Sequence, residues 1–375
     1  NKRLLLPSYL SNKIYGKGVI SRIGEVINKF YSSIKWGIKK VGRKINIYYP
    51  YVLYLFIYNT IISKGRKVVL VHLFTSKFGH FYVNTENYLR ENLDEENILH
   101  IFFCEKDVDT FELLDLWKSH IRIYSYEVGS RLARLGQYMG WNLESVRTGG
   151  KNYIVPHDYE KWTSHLIFQI PEKTSSYYCD ELKEKTGCQR HVTLTIRDSN
   201  YQISKQNYRS QQWRDSFLIC FKKGILQLLK EEIAVVLINR GVKHDLEDLD
   251  DSRFINYSLA GDYDLKKEMS LIQTSLFHVA GNTGLDGFAA IRGKNTLFVN
   301  VFLGSTFQTR LFLNKCIVLI AKLYNVFEER LVTYRDWIDR LIYMQKNGLG
   351  DGFEDYYQKE FGLIYLPHSP DEILQ

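Results

Sequence analysis

The sequence predicts an α/β protein in which a strand–helix alternation runs through residues 66–188 and then starts again, giving two halves, each built on a parallel sheet. Three observations carry the prediction. A continuous apolar run at 68–73 suits a strand covered on both faces, and further strands read at 98–103, 191–196 and 233–238. Helix-forming segments lie between them, around 111–117, 216–229 and 265–274. The 375 residues exceed one ordinary domain, and a composition 45% hydrophobic and 25% charged supports a sizeable core.

The elements follow in order. Residues 1–65 read as a basic extension. Residues 1–67 hold fourteen Lys and Arg against one acid, Glu25, so the net charge of +8 belongs to this arm and the rest of the chain is mildly acidic. Apolar residues at Val19, Ile20, Ile23, Val26, Ile27, Phe30, Ile34, Ile38 and Val41 keep helical spacing, with Lys29, Lys35, Lys39, Lys40, Arg43 and Lys44 between them. Such a helix can lie in the headgroup region of an anionic bilayer, so residues 13–62 are expected to meet an anionic membrane surface. The aromatic and aliphatic run 47–62, interrupted by Pro50, is shorter than the roughly 20 residues a spanning helix needs. It suits a surface-lying segment or a helix packed on its own domain. Nucleic acid is the less favoured partner, because the arm has no reader fold.

Beyond the arm, strand 68–73 leads into a turn-like stretch, 75–80, and a helix carrying Tyr88 and Leu89. Strands 98–103 and 120–124 flank helix 111–117. Residues 140–190 read as polar and irregular, a long connection or substrate loops. The second half has strands at 191–196, 233–238, 254–257, 276–280 and 296–301, with helices at 216–229, 265–274 and up to Ala290. Residues 310–345 read as mostly helical, and 346–375 as a tail packing back on the first half. The expected division is therefore 1–65, 66–188, 189–345 and 346–375. The five cysteines, Cys104, Cys179, Cys188, Cys220 and Cys316, form no CxxC pair and read as reduced cytosolic thiols.

Three stretches could carry chemistry. In Gly281-Asn282-Thr283-Gly284-Leu285-Asp286 a strand ends in small residues and a helix begins. Glycines let a backbone approach a ligand closely, amides at a helix start favour anions, and ligands of open α/β sheets sit beyond the carboxyl ends of the strands. A diphosphate fits this turn. On spacing alone, so does a plain βα turn with Thr283 or Asn282 as N-cap. Thr195-Ile196-Arg197-Asp198-Ser199, with Tyr208-Arg209 in the next loop, again ends a buried strand. The Arg197 fork matches phosphate oxygens and could neutralise a leaving group, a role otherwise given to a metal ion; the plainer alternative is an Arg197–Asp198 pair that fixes a linker. In Lys77-Phe78-Gly79-His80-Phe81, followed by Glu86, His80 could act as general base on a hydroxyl, or simply cap a turn. Asp-x-Asp pairs at 107/109, 248/250 and 262/264 are loose candidates for a divalent cation in an acid-rich chain, and no metal is expected. His and Cys fall at no zinc spacing, and no Walker or nucleophile-elbow motif occurs.

Taken in order, these motifs resemble a family of glycosyltransferases of the GT-B type found among bacterial surface-polysaccharide genes. The likeness covers roughly residues 66–375. It rests on Gly79-His80-Phe81 with Glu86 and Tyr88-Leu89-Arg90; on residues 192–199 with Tyr208-Arg209; on 254–257 and 269–280; and on Gly281-Asn282-Thr283-Gly284 with Phe288 and Asn300. It departs at Asn239-Arg240-Gly241, where the family joins its Arg and Gly through a small or apolar residue, and in having no Ser near Thr283. The resemblance implies two Rossmann-like domains facing a central cleft, with the basic helical arm as an extension. It implies glycosyl transfer from a nucleotide sugar to a glycan or lipid-linked acceptor, without a metal, on the cytoplasmic face of the inner membrane. Carried over by position, Arg197 and the 281–284 turn would hold the donor phosphates and His80 would face the acceptor. Beside that carry-over, Asp198, Tyr208, Arg209 and Arg240 read as further donor contacts, and Glu268, Tyr257 and Asp286 as weaker candidates for ribose, sugar or base contacts. His80, or failing it Glu86, would deprotonate the acceptor. A pyruvyl or other glycan-modifying transferase on the same scaffold, and a non-catalytic membrane-bound assembly protein, are the alternatives.

Overall fold

In the computed structural model, which describes residues 48–63, 65–92, 96–106, 108, 110–138, 140–146, 166–197, 215–238, 246, 249–257, 264–281, 283–301, 315–347 and 362–375, the apolar runs become parallel strands. The chain divides into two compact units. One comprises Asn1–Thr75, Leu93–Val108 and Trp117–Val146; the other comprises Ser76–Asn92, Asp109–Leu116 and Arg147–Gln375.

In the first unit, β1 (Lys67–Leu73), β2 (Ile98–Phe103), β3 (Ile123–Tyr124) and β4 (Asn142–Val146) form a parallel sheet in the order β3-β2-β1-β4. β1 is buried along most of its length, as a central strand covered on both faces must be. Helix α1 (Tyr48–Ser63) takes Pro50 into its first turn, where the missing N–H costs little. It packs on a later helix of the same unit, Tyr126–Tyr138, and sinks Val52, Leu55 and Phe56 into a core shared with Val68, Leu70 and Phe103. The Phe56 ring lies 5.0 Å from that of Trp141. Its polar residues are satisfied by the helix itself, Asn59 Nδ2 donating to Leu55 O and Thr60 Oγ1 to Phe56 O. Within residues 48–62 the helix docks one face on its own unit, while Tyr54 and Tyr58 stay exposed on it. The rest of the basic arm lies outside the described residues. Among the described residues no helix is long and apolar enough to cross a membrane.

The second unit takes in α2 (Phe78–Asn92), helix α3 (Phe111–Lys118) up to Leu116, and everything from residue 147 onward. The segment carrying His80 and Glu86 groups with the second unit. Helix α4 is the 126–138 helix already met, and α5 (Glu172–Thr186) lies within the stretch read as irregular. β5 (Arg190–Leu194), a 3-10 turn (Leu218–Phe221), α6 (Lys222–Lys230), β6 (Ile233–Leu237), β7 (Phe254–Asn256), α7 (Leu265–Thr274), β8 (His278–Ala280), α8 (Leu285–Ile291), β9 (Thr296–Val301) and β10 (Cys316–Ile320) follow. The six strands are all parallel, in the order β10-β9-β8-β5-β6-β7. From β5 the chain moves outward through β6 to β7, then returns to the other side of β5 and moves outward again. That is the doubly wound order of a dinucleotide-binding sheet, with its reversal between β5 and β8. Right-handed crossovers put the helices of the two series on opposite faces.

Helix α7 starts at Asp264, whose carboxylate accepts from the Lys266 and Lys267 amides, a plain N-cap. Asp264 also receives the Tyr178 hydroxyl of α5, and Lys267 pairs with Glu181, so α5 and α7 are stapled together. Partial burial and the bond to Asp264 push the Tyr178 phenol up to about 12.

The region from 315 corrects the helical expectation. β10, β11 (Lys322–Asn325) and β12 (Arg330–Leu331) precede α9 (Tyr334–Lys346), and β13 (Leu363–Leu366) pairs antiparallel with β11. The last helix, α10 (Pro370–Leu374), has a capping box formed by Ser369 and Glu372. It packs on α6, with Asp371 bonded to Lys223 and Glu372 to Lys322. The bond to Lys322, with two from Ser369, holds the Glu372 carboxyl down at about 2. The described part of the tail thus packs on second-half elements, where packing on the first half was expected.

Burial of His191 yields a pH prediction. Its Nε2 donates to Leu271 O at 2.9 Å, and burial, then the charges of Lys294 and Lys183, hold the imidazole below its ordinary 6.5. Above 6.5 folded and unfolded chains bind the same protons here. Below it the unfolded chain gains one that the folded chain refuses, so stability falls as the pH drops from 6.5 through the lowered value. The melting temperature should decline from pH 7 to 5.5, and the His191→Gln variant, which keeps a donor without the titration, should decline less. Equal slopes would contradict this.

Candidate functional site

The candidate site stands at the carboxyl end of the second sheet, where the strand order reverses. β5 and β8 are neighbours, with Thr193 opposite His278 and Leu194 opposite Val279. Beyond them β5 continues as Thr195-Ile196-Arg197, and β8 continues as Gly281 and the turn to Gly284. The Thr195 amide still donates to Val279 O at 2.9 Å, so both candidate loops leave the sheet side by side. In doubly wound sheets this divergence opens the crevice that receives a ligand.

The approach is close enough to dictate residue type. A methyl group on Gly281 would lie 2.4 Å from Thr195 O, and backbone on both sides leaves no room to yield. Gly284 is constrained from the other side, since a methyl group there would lie 2.8 Å from Gly79 N, and one on Gly79 would lie 3.0 Å from Gly284 Cα. The first turn of α2 thus lies against the start of α8, and Tyr82 and Phe288 continue the contact with ring centroids 5.2 Å apart. These glycines serve close approach of two helices, where the sequence suggested a free turn at 75–80. His80, half-buried, sits one residue past this crossing.

Asp286 anchors the turn. Its buried carboxylate accepts from Thr195 Oγ1 at 2.5 Å, Thr283 N at 2.6 Å and Thr283 Oγ1 at 2.9 Å, and lies 3.2 Å from His278 Nε2. His278 Nδ1 in turn meets Thr193 Oγ1 at 2.9 Å, and Gly281 N donates to Thr195 Oγ1 at 3.3 Å. A continuous buried network therefore ties the turn to one face of β5. This corrects the reading of Asp286 as a donor contact: its oxygens are spent on the protein. Replacing it with Asn puts an amide N–H₂ against existing donors. We expect Asp286→Asn to lower stability by about 1–3 kcal/mol in urea unfolding, the scale of a buried donor left unmatched; an unchanged midpoint would contradict the assignment.

Glu86 needs the same correction. It is fully buried; Oε1 accepts from Ile167 N and Arg90 Nε, each at 2.8 Å, and Oε2 accepts from Phe168 N at 3.0 Å. Arg292 Nη1 donates to Phe168 O at 3.0 Å, and Phe168 presents its ring edge to Tyr82. Glu86 is a strut, not an alternative base. Burial, then Glu86, pushes the Tyr82 phenol far up. Tyr257 is also turned inward: it is buried at the end of β7, under Lys267, whose Nζ is 4.7 Å from the ring centre.

Arg197 lies past the end of β5, its side chain 13% exposed. Its Nε lies 3.7 Å from Asp215 Oδ1, an ion pair too long for a hydrogen bond, and its carbonyl accepts from Ser216 N at 3.0 Å. Asp198, Tyr208, Arg209, Arg240 and Asn282 lie outside the described residues, as do Asp107, Asp109, Asp248 and Asp262. Among the described residues no cluster of three His, Cys, Asp or Glu is placed to hold a metal ion. All five cysteines are free thiols.

No protein-family model matches the chain, and no curated protein matches it. Among solved structures it is similar to the ADP-heptose lipopolysaccharide heptosyltransferase II of E. coli, with 13% identity and a TM-score of 0.46 over 75% of this chain and 99% of that one. It is similar to a family 9 glycosyl transferase from Veillonella parvula, with 9% identity and a TM-score of 0.44 over 68% and 86%. It is also similar to E. coli heptosyltransferase WaaC with ADP, with 12% identity and a TM-score of 0.37 over 68% and 93%. These superpositions are loose, and the functional reading below is drawn from the chain's own residues.

Proposed function

We propose that this chain is a glycosyltransferase that takes its sugar from a nucleotide-sugar donor and passes it to a glycan or lipid-linked acceptor in surface-polysaccharide synthesis. The observation that carries the reading is the joint position of Arg197 and the Gly281–Gly284 turn. They leave adjacent parallel strands at the sheet's reversal, the place where such sheets receive phosphorylated ligands. The Gly281 and Thr283 amides are held within the turn's own network, so the ligand-facing group is the guanidinium, a planar fork for phosphate oxygens beside the turn.

In this reading the donor diphosphate rests between the turn and Arg197. Breaking the bond from the anomeric carbon to the diphosphate oxygen leaves negative charge on the departing group. Arg197 faces that charge as it grows, in the role a divalent cation takes in other transferases, so the reaction needs no metal. His80, beside the α2–α8 crossing, accepts the proton of the acceptor hydroxyl as the new glycosidic bond forms. Residues 13–62 hold the enzyme at an anionic membrane surface on the cytoplasmic side, which co-sedimentation with phosphatidylglycerol vesicles at low and high salt tests.

Melting curves with ADP, CDP, GDP and UDP, each with and without EDTA, test the donor site. At a concentration 100 times Kd a bound diphosphate contributes about 2.7 kcal/mol and raises the melting temperature by several degrees. We expect one base to dominate and EDTA to leave the shift unchanged. No shift from any of the four would contradict the reading, and a shift with phosphoenolpyruvate alone would favour a pyruvyl transferase on the same scaffold.

A further inference from the structure

The end of the chain reaches the site through hydrogen bonds that the donor reading does not use. His368 lies just after β13 and is buried. Its backbone N–H and its ring Nδ1 both meet Asn300 Oδ1, at 3.2 and 2.7 Å. Asn300 is buried at the carboxyl end of β9 and holds a left-handed backbone with φ of 57°. A non-glycine residue pays for that conformation unless its surroundings fix it. Its Nδ2 donates onward to Ser216 Oγ at 3.4 Å, and Ser216 N donates to Arg197 O at 3.0 Å. Ser216 is itself buried and follows Asp215, the acid that faces the Arg197 guanidinium. Four residues from separate stretches of the chain thus form one line from the carboxyl-terminal segment to the main chain of the residue read as the diphosphate's counter-charge.

We propose that Asn300 and His368 are positioning residues for Arg197: the carboxyl-terminal segment, through His368, fixes the Asn300 amide, which holds Ser216 and with it the Arg197 backbone. The direction of Asn300 is settled by its partners. A carboxamide oxygen accepting from two His368 donors leaves the amide nitrogen pointing at Ser216, and the strained backbone keeps the side chain there. The functional consequence rests on the donor reading above, whereas the mechanical link does not.

The experiment therefore has two readouts on the full chain. The first is amide hydrogen exchange of Ser216 without ligand. The second is calorimetric affinity for whichever of ADP, CDP, GDP and UDP binds the unsubstituted protein. His368→Phe removes the ring donor and keeps bulk. We expect it to speed exchange at Ser216 and to weaken diphosphate binding by about tenfold, the scale of one buried hydrogen bond. His368→Asn places an amide donor close to the Nδ1 position and should restore both readouts. Asp371→Asn is the control: it cuts the exposed bond to Lys223 on α6 and should leave both readouts unchanged. Unchanged Ser216 exchange in His368→Phe would overturn the link, whether or not a nucleotide binds. Faster exchange with unchanged affinity would overturn the positioning role. If no diphosphate binds the unsubstituted protein, the donor reading fails, and exchange alone decides the link.

Discussion

Replacing Arg197 with Ala should lower kcat/KM for donor by about 10²–10³-fold while the protein stays folded. The magnitude is that of removing one preorganised donor from developing charge, about 2.7–4 kcal/mol of transition-state stabilisation. Arg197 lies beyond the last paired residue of β5, and its Nε stands 3.7 Å from Asp215 Oδ1, beyond hydrogen-bond reach, so the substitution cuts no hydrogen bond between them. Ser216 holds the Arg197 carbonyl, a main-chain bond that the substitution keeps. Arg197→Lys should fall between the two, keeping charge and losing the planar fork. Turnover measured beside urea unfolding separates the outcomes: unchanged turnover, or a variant that unfolds, would assign Arg197 a structural role instead.

The second large effect is on stability. Glu86→Ala should cost about 3–5 kcal/mol, the range for removing one partner of a buried ion pair. The loss strands the Ile167 and Phe168 amides and leaves Arg90, only 2% exposed, without its carboxylate. Those amides begin the segment that Arg292 and Tyr82 also grip, so the loosening should spread to the α2–α8 crossing. The unfolding midpoint should fall sharply, while molecules still folded at low temperature keep most of their turnover. A stable variant with no turnover would restore Glu86 as the base.

How far the chain could be read depended on what its residues bury. β1 and β6 are sequence-legible because both faces are covered, which leaves an unbroken apolar run. β4 was not, since four of its five residues are exposed and its composition is polar. Helix α5 was missed for a related reason: it buries only Ser175, Leu182 and Thr186, too few apolar positions to show a period. The aliphatic stretch from Cys316 to Asn325 carries no period either, and length alone favoured a helix where β10 and β11 form.

In the site, the loops themselves were legible from glycines and an arginine at strand ends. The roles of the carboxylates were not. Asp286 and Glu86 look like chemistry in sequence and are consumed by donors from residues far along the chain. One signal could have exposed the first. His191, Thr193 and Thr195 alternate along a strand otherwise fully apolar, so they share a face and, being buried, require polar partners there. Asp215, Ser216, Asn300 and His368 carried no such signal, because only the fold brings them together.

A crystal structure with a bound nucleoside diphosphate tests the central claim most directly. The account predicts phosphate oxygens within hydrogen-bond distance of the Arg197 guanidinium and seated beside the 281–284 turn, at the carboxyl ends of β5 and β8. A nucleotide bound elsewhere on the molecule, or phosphates held through a cation on carboxylates with Arg197 turned away, would contradict it.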